Sequence, residues 1–264
     1  RIQCASQLKQ VGLALHEYEE SHQQLPPAGE YGPRDNAVYL DSGQGYHRIL
    51  LRSGKNQSWL VQLLPHLEQS QVHQQYQQAA HVTEVQSAAR EARVATLICP
   101  SDDASGGFFR HHESSDAQPI LFSKGNYAGY VSPYHCDDAD GAAALGHYGR
   151  QFREVTDGLT NTLALSEIRT RDHLGDQRGA WALPWSGASL LALDMHPSDR
   201  VAEEGEAPLP YVHNPISLGF TQTPNSRHPD MLYACPDLVG EQIDRLPCGN
   251  ADTANYISAA PRSC

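Results

Sequence analysis

The first 27 residues, RIQCASQLKQVGLALHEYEESHQQLPP, constrain the fold more than any other stretch of the chain. Leu8, Val11, Leu15 and Tyr18 recur at spacings of three and four, with Ala5 and Gly12 close to the same stripe. Lys9, Gln10 and Glu17 fall on the opposite side, so the segment reads as a helix with one apolar face. Pro26-Pro27 stops it, because neither proline can donate the next helical hydrogen bond, and Gln23 to Leu25 lead the chain out. No Ser, Thr, Asp or Asn precedes Ile2 as a cap, and the chain does not begin with Met. The expectation is therefore a helix that continues upstream.

Beyond this helix, residues 28–57 read as a Gly-rich loop with one strand around Tyr46 to Leu51. SWLVQLLPHLEQSQVHQQY begins with Ser58 as a plausible N-cap and carries Trp59, Leu60, Leu63, Leu64 and Leu67 as a core face. Pro65 is expected to kink it or restart it. A third helix is expected to about Ala95, then a short buried strand over Thr96–Cys99 that Pro100 ends.

Further on, the apolar period shortens from helical to alternating. KGNYAGYVS reads as a strand with one exposed face, RGAWALPW as another, and Asp157-Gly158 as a turn leading into a strand over Thr162–Ile168. Residues 172–230 read as long loops, and NYISAA as a closing strand. Helices first and strands afterwards, without β-α-β alternation, predict an α+β fold with an antiparallel sheet.

With 264 residues the chain is long enough for one sizeable core. Its net charge of −12, from 31 acidic side chains against 19 Lys and Arg, argues against a nucleic-acid partner, which would need a basic surface. No apolar run approaches the roughly 18 residues of a membrane span. None of the six cysteines forms a C-x-x-C pair, which disfavours a zinc ribbon. Cys235 and Cys248 flank a short segment and are candidates to close a small disulfide loop, implying an oxidising compartment. Six cysteines permit 15 pairings, so the others stay open.

Candidate chemistry is sparse. HEYEESH resembles a metalloprotease pair, but His16 and His22 are six residues apart, about 600° around a helix, and so on separate faces. HCDDADG holds a fragment of a calcium loop, with Asp137, Asp138 and Asp140 as candidate Ca2+ ligands. The Glu expected at its twelfth position is replaced by Gly149, and a plain acidic turn competes with that reading. His111, His112 and Glu113 are half of a metal-ligand set, yet in a chain with 14 His chance adjacency is the simpler reading. The aromatic residues of NYAGYVSPYH could line a ligand groove, although packing explains them as well. No nucleophile elbow, P-loop or dinucleotide fingerprint occurs, and the chain is expected not to be an enzyme. A metal-dependent hydrolase would rest only on scattered His and Asp.

RIQCASQLKQVGLALHEYEESHQQLPPA, SWLVQLLPHLEQ, ICPSD, NYAGY and VTDGLTNTLALSE, in this order, resemble successive landmarks of a large bacterial family of prepilin-like proteins, the domain-of-unknown-function family 1559. The tail NYISAAPRS is similar to the approach to that family's closing motif, whose His-Pro-Gly-Gly and Asp-Gly are not found before Cys264. The resemblance implies a pilin-like architecture over residues 1–264: an N-terminal helix packed on an antiparallel sheet. Residues 1–25 would be the soluble half of the spine helix, 58–95 a helical region, and 96–264 sheet and loops.

It further implies a non-enzymatic structural subunit, pilin-like or pseudopilin-like as in type II secretion. Such a subunit would be extracytoplasmic, anchored to a membrane by an upstream helix, and assembled with itself or with other pilin-like subunits. No catalytic residues come with the resemblance. The alternative is an extracytoplasmic binding module for a glycan, peptide or small solute, using the long loops and aromatic strands.

Overall fold

A computed structural model describes residues 2–41, 46–104, 106–115, 117–139, 143–193, 225, 230–236, 246, 248–250 and 259. The opening helix α1 spans Ile2–His22 and buries Cys4, Val11, Ala14, Leu15 and Tyr18, the stripe its periodicity predicts. Gln23 ends it in the left-handed region at φ 58, its amide still bonded to Glu19 O at 2.7 Å. Tyr18 and His22, one turn apart, stack with ring centroids 4.0 Å apart at 10°.

α1 lies on a helical layer and along the β6 edge of a sheet, with Tyr127 of the next strand reaching it. It packs against α3 (Trp59–Leu63), the 3-10 turn Leu64–Leu67, the 3-10 turn Ala95–Leu97 and strand β6 (Leu165–Glu167). Ser58 does precede α3, but its hydroxyl donates to Trp181 O at 2.5 Å instead of capping the helix. Pro65 restarts the chain as a 3-10 turn, as its missing N–H requires, and Glu68 at φ 61 closes that turn before α4 (Ser70–Gln78). The expected third helix is only a 3-10 turn, Val82–Glu84, followed by the four-residue α5 (Ser87–Arg90). The strand expected over Thr96–Cys99 is replaced by the turn Ala95–Leu97.

The Gly-rich excursion carries more structure than its composition suggests: α2 (Arg34–Ala37) and the hairpin of β1 (Val38–Asp41) with β2 (Tyr46–Ile49). Strands β3 (Phe108–Arg110) and β4 (Leu121–Ser123) pair antiparallel. β5 (Tyr127–Ser132) is the centre of a three-stranded sheet, antiparallel to β6 and parallel to β7 (Leu190–Ala192). β8 (Asp230–Leu232) and β9 (Cys248–Asn250) form a parallel pair. The class is α+β with small sheets, and the largest of them is mixed.

Two strand expectations need correction. β5 has no exposed face: all six of its residues are buried. Tyr127 and Val131 face the main hydrophobic cluster, while Ala128 and Tyr130 face a second one with Ile168, Leu191 and Leu232. A Cβ at Gly129 would sit 2.1 Å from Leu145 and 3.3 Å from Trp59, so the small residues of this strand mark close packing. RGAWALPW is a series of turns in which Trp181 and Trp185 are buried, and the strand begins only at Leu190. NYISAA lies outside the described residues apart from Ala259, which bridges Ala192.

Two disulfides fasten these layers. Cys235 pairs with Cys248 across 13 residues, as their spacing suggests. Cys4 pairs with Cys99 across 95, tying the first turn of α1 to the segment that enters the sheet. Cys136 is a free, buried thiol whose pKa burial pushes up, which keeps it protonated and unreactive.

Candidate functional site

An apolar cavity runs beside α1. Gly12, Leu15 and His16 of the helix face Leu145, Phe152 and Leu165 across a cavity of about 120 Å³. A Cβ at Gly12 would meet nothing within 4 Å, so the helix side of this groove is open.

The opposite wall follows from local turn chemistry. Gly158 takes φ 84 after Asp157, and the Asn161 amide and Thr162 hydroxyl donate back to Asp157 O and Gly158 O. That turn presents Leu159 to the cavity, and the 3-10 turn Phe152–Glu154, closed by a reciprocal Gln151–Glu154 capping box, sets Phe152 over His16 at 5.1 Å. Leu159 in this lining remains 49% exposed, and Leu13 and Leu163, which follow the lining residues Gly12 and Thr162 in the chain, are 52% and 59% exposed. A half-exposed leucine gains roughly 1 kcal/mol or more on complete burial.

The segments that resemble family landmarks meet elsewhere, in one hydrogen-bond node. Asp102 of ICPSD accepts from the Asn126 amide at 2.6 Å, from Thr170 N at 2.9 Å and from the Thr170 hydroxyl at 2.7 Å. Asn126, which opens NYAGY, accepts from Cys99 N at 2.9 Å and donates to Ile168 O at 3.0 Å. Tyr127 donates to Cys4 O at 3.0 Å and so ties β5 to α1. All of these partners are internal, which makes the node a fastening between segments.

A buried ionic seam lies nearby. Arg178 donates to both Asp176 oxygens at 2.5–3.2 Å, to Asp230 at 3.2 Å and to Leu246 O at 3.0 Å. Burial alone would raise the Asp176 pKa, but the adjoining guanidinium overrides it and holds the carboxyl below its usual range. Lys124 donates to Arg171 O and His173 O, and burial above all lowers its pKa to about 8. These groups face one another within the protein, and none is presented to a substrate.

Of the acidic calcium candidates, Asp137 accepts from Arg48 Nε at 2.6 Å and Asp138 from the Ser132 hydroxyl at 3.2 Å. Both carboxylates are buried against these partners, whereas a calcium ion needs six to eight oxygens gathered around it. Asp140 lies outside the described residues. His16 and His22 sit on exposed positions and contact different rings, Phe152 and Tyr18. Glu167 approaches Cys4 and Cys99, but those sulfurs are bonded to each other and offer no thiolate. His111, His112 and Glu113 do converge, with one ligand atom from each within 4.8 Å of the others. Burial, helped by His112, His81, Arg52 and Arg90, pushes the His111 pKa down to about 3.

Burial also lowers His147, to about 4, beside Tyr31 at a ring distance of 5.8 Å. Its folded pKa lies below the unfolded value of about 6.5, so its contribution to stability is complete above that pH and is lost as pH falls toward 4. Acidification from pH 7 to 5 should cost roughly 2 kcal/mol through this residue. In His147→Leu the urea midpoint should fall less over that interval than in the wild type. Equal slopes in both would remove His147 as the cause.

The described residues form an α+β fold fastened by internal nodes, with an apolar groove along its first helix. Residues 1–231 match the model of the family described as Protein of unknown function (DUF1559), and the chain belongs to that family. The match leaves out the tail NYISAAPRS. No curated protein and no solved structure matches the chain.

Proposed function

We propose that the chain is a non-enzymatic structural subunit, the extracytoplasmic domain of a pilin-like or pseudopilin-like protein that works in a surface filament or secretion apparatus. The observation that carries this reading is the α1 groove, with its open Gly12 and half-exposed Leu159, together with the exposed Leu13 and Leu163 that follow lining residues in the chain. Membrane anchoring by an upstream helix and assembly with like subunits belong to the same proposal. No helix among the described residues is long and apolar enough to cross a membrane.

The cavity bears on the competing reading, a binding module for a glycan, peptide or small solute. Its 120 Å³ is comparable to the roughly 150 Å³ that holds one benzene, and its lining is largely apolar. That suits an inserted aliphatic side chain from another subunit and is too small and too apolar for a glycan.

The test uses the full-length gene product in its own host. Membrane retention and assemblies that can be cross-linked are expected, and Leu13→Glu with Leu163→Glu should reduce the assembled fraction at least tenfold while the soluble domain stays folded. Completing the burial of two half-exposed leucines, at roughly 1 kcal/mol each, covers that factor. A protein that stays soluble and monomeric with its own leader intact would sink the proposal, as would full assembly of the double variant.

A further inference from the structure

The turn after β3 is held from both sides. His111 N donates to Ile120 O at 2.9 Å, and His111 O accepts from Ser114 N at 2.9 Å. The His111 ring, 2% exposed, is walled by Trp185 at 5.3 Å and Phe122 at 5.9 Å. The His112 ring lies 4.1 Å from it at 33°, and His111 Nδ1 is 4.0 Å from Glu113 Oε2. Glu113 N donates to that Nδ1 at 3.2 Å, which identifies Nδ1 as the nitrogen that carries the lone pair. One imidazole is thus fixed in place and tautomer, while His112 and Glu113 are exposed and able to adjust.

From this convergence we propose that His111, His112 and Glu113 bind a single transition-metal dication of the Cu2+, Ni2+ or Zn2+ class, and do not bind calcium or magnesium. Two imidazoles and a carboxylate are the donor set such ions take, with metal–nitrogen distances of about 2.0–2.1 Å and a further position left to water. Tetrahedral donors at that range are about 3.4 Å apart, so the present separations close by rotation of the two exposed side chains. The long Glu113 N–H bond to Nδ1 is a contact that an ion there would replace.

The surroundings select against hard cations. Arg52 stacks on Tyr233 at 4.3 Å, Tyr233 abuts Trp185 at 5.7 Å, and Arg90 lies over Phe122 at 5.7 Å, so two guanidinium groups flank the rings that wall His111. Calcium and magnesium are held by negative charge and many oxygens, and one carboxylate among these cations supplies neither. Nitrogen ligation is less dependent on that charge, and affinity should follow the order Cu2+ above Ni2+ and Zn2+.

The experiment is independent of the subunit proposal, since it needs only the folded domain. Protein freed of metal with a chelator is titrated with Zn2+ at pH 7 by calorimetry, and bound metal is counted after desalting. One ion per chain is expected. His112→Ala and Glu113→Gln should each weaken binding at least tenfold, with unchanged circular dichroism and melting temperature because both side chains are exposed. Ca2+ should give no heat of binding. Less than one bound ion per chain, equal affinity in wild type and variants, or equal binding of Ca2+ would each overturn the proposal. Equal affinity would assign the metal to the chain's other histidines.

Discussion

Replacing Cys4 and Cys99 together by alanine should lower the melting temperature by about 10 °C. The bond closes a 95-residue loop, and in the chain-entropy account such a link removes about 4.7 kcal/mol of freedom from the unfolded chain, against about 3 for the 13-residue loop of Cys235–Cys248. For a chain of this size each kcal/mol moves the midpoint by roughly 2 °C. The structural consequence is local as well. Without the bond, the start of α1 is held by the Tyr127 hydroxyl on Cys4 O and Gln7 Oε1 and by the Gln7 amide on Ala95 O. Calorimetry on wild type, the Cys4/Cys99 variant and a Cys235/Cys248 variant separates the two loops. A smaller shift for the long loop than for the short one would contradict the entropic account.

The other large effect belongs to Arg178. In Arg178→Met the carboxylates of Asp176 and Asp230, 0% and 1% exposed, lose their principal cation, and the expected loss is about 3–5 kcal/mol at pH 7. Arg171, 3.5 Å from Asp176, offsets only part of it. The pH dependence has a definite sign. In the wild type Asp176 is held below its unfolded pKa of about 3.9, so its share of stability is present above that pH and fades as pH falls through the lower folded value. In the variant, burial is opposed only in part, by Arg171 and Lys124, and raises the carboxyl, so protonation relieves it. The gap between the two proteins should therefore narrow on acidification from pH 7 toward 4. A gap that stays constant over this range would show that the loss came from packing.

What the sequence disclosed was local. The three- and four-residue spacing of Val11, Leu15 and Tyr18 gives α1 its buried face without any distant information. Asp157-Gly158 marks its turn because a positive φ demands glycine, and Pro65 marks the restart because it cannot donate. Cys235 and Cys248 are close enough in the chain to suggest each other.

The misreadings came from long-range packing. Alternating Tyr and small residues in NYAGY look like a half-exposed strand, yet the small ones admit Trp59 and Leu145 from one side while Leu191 and Ile168 cover the other. WALPW has strand-like composition, but its indoles serve distant partners: Trp185 donates to Asn56 across 129 residues. Cys4–Cys99 and the meeting of Asp102 with Asn126 and Thr170 are products of the fold, with no signature in spacing. The groove was half legible. Its helix and its turn could be predicted, but the exposure of Leu13, Leu159 and Leu163 depends on what those elements leave uncovered.

The position of Cys4 has a mechanical meaning. A pull on the N-terminal end of α1 reaches a covalent bond within the first turn and passes through Cys99 to Asn126, the residue that opens the central strand. Tension is thus delivered to the middle of the sheet before the apolar contacts of Val11, Leu15 and Tyr18 are loaded. Peeling of the helix from its bed would have to begin at the other end, at His22, where no bond of that strength holds it.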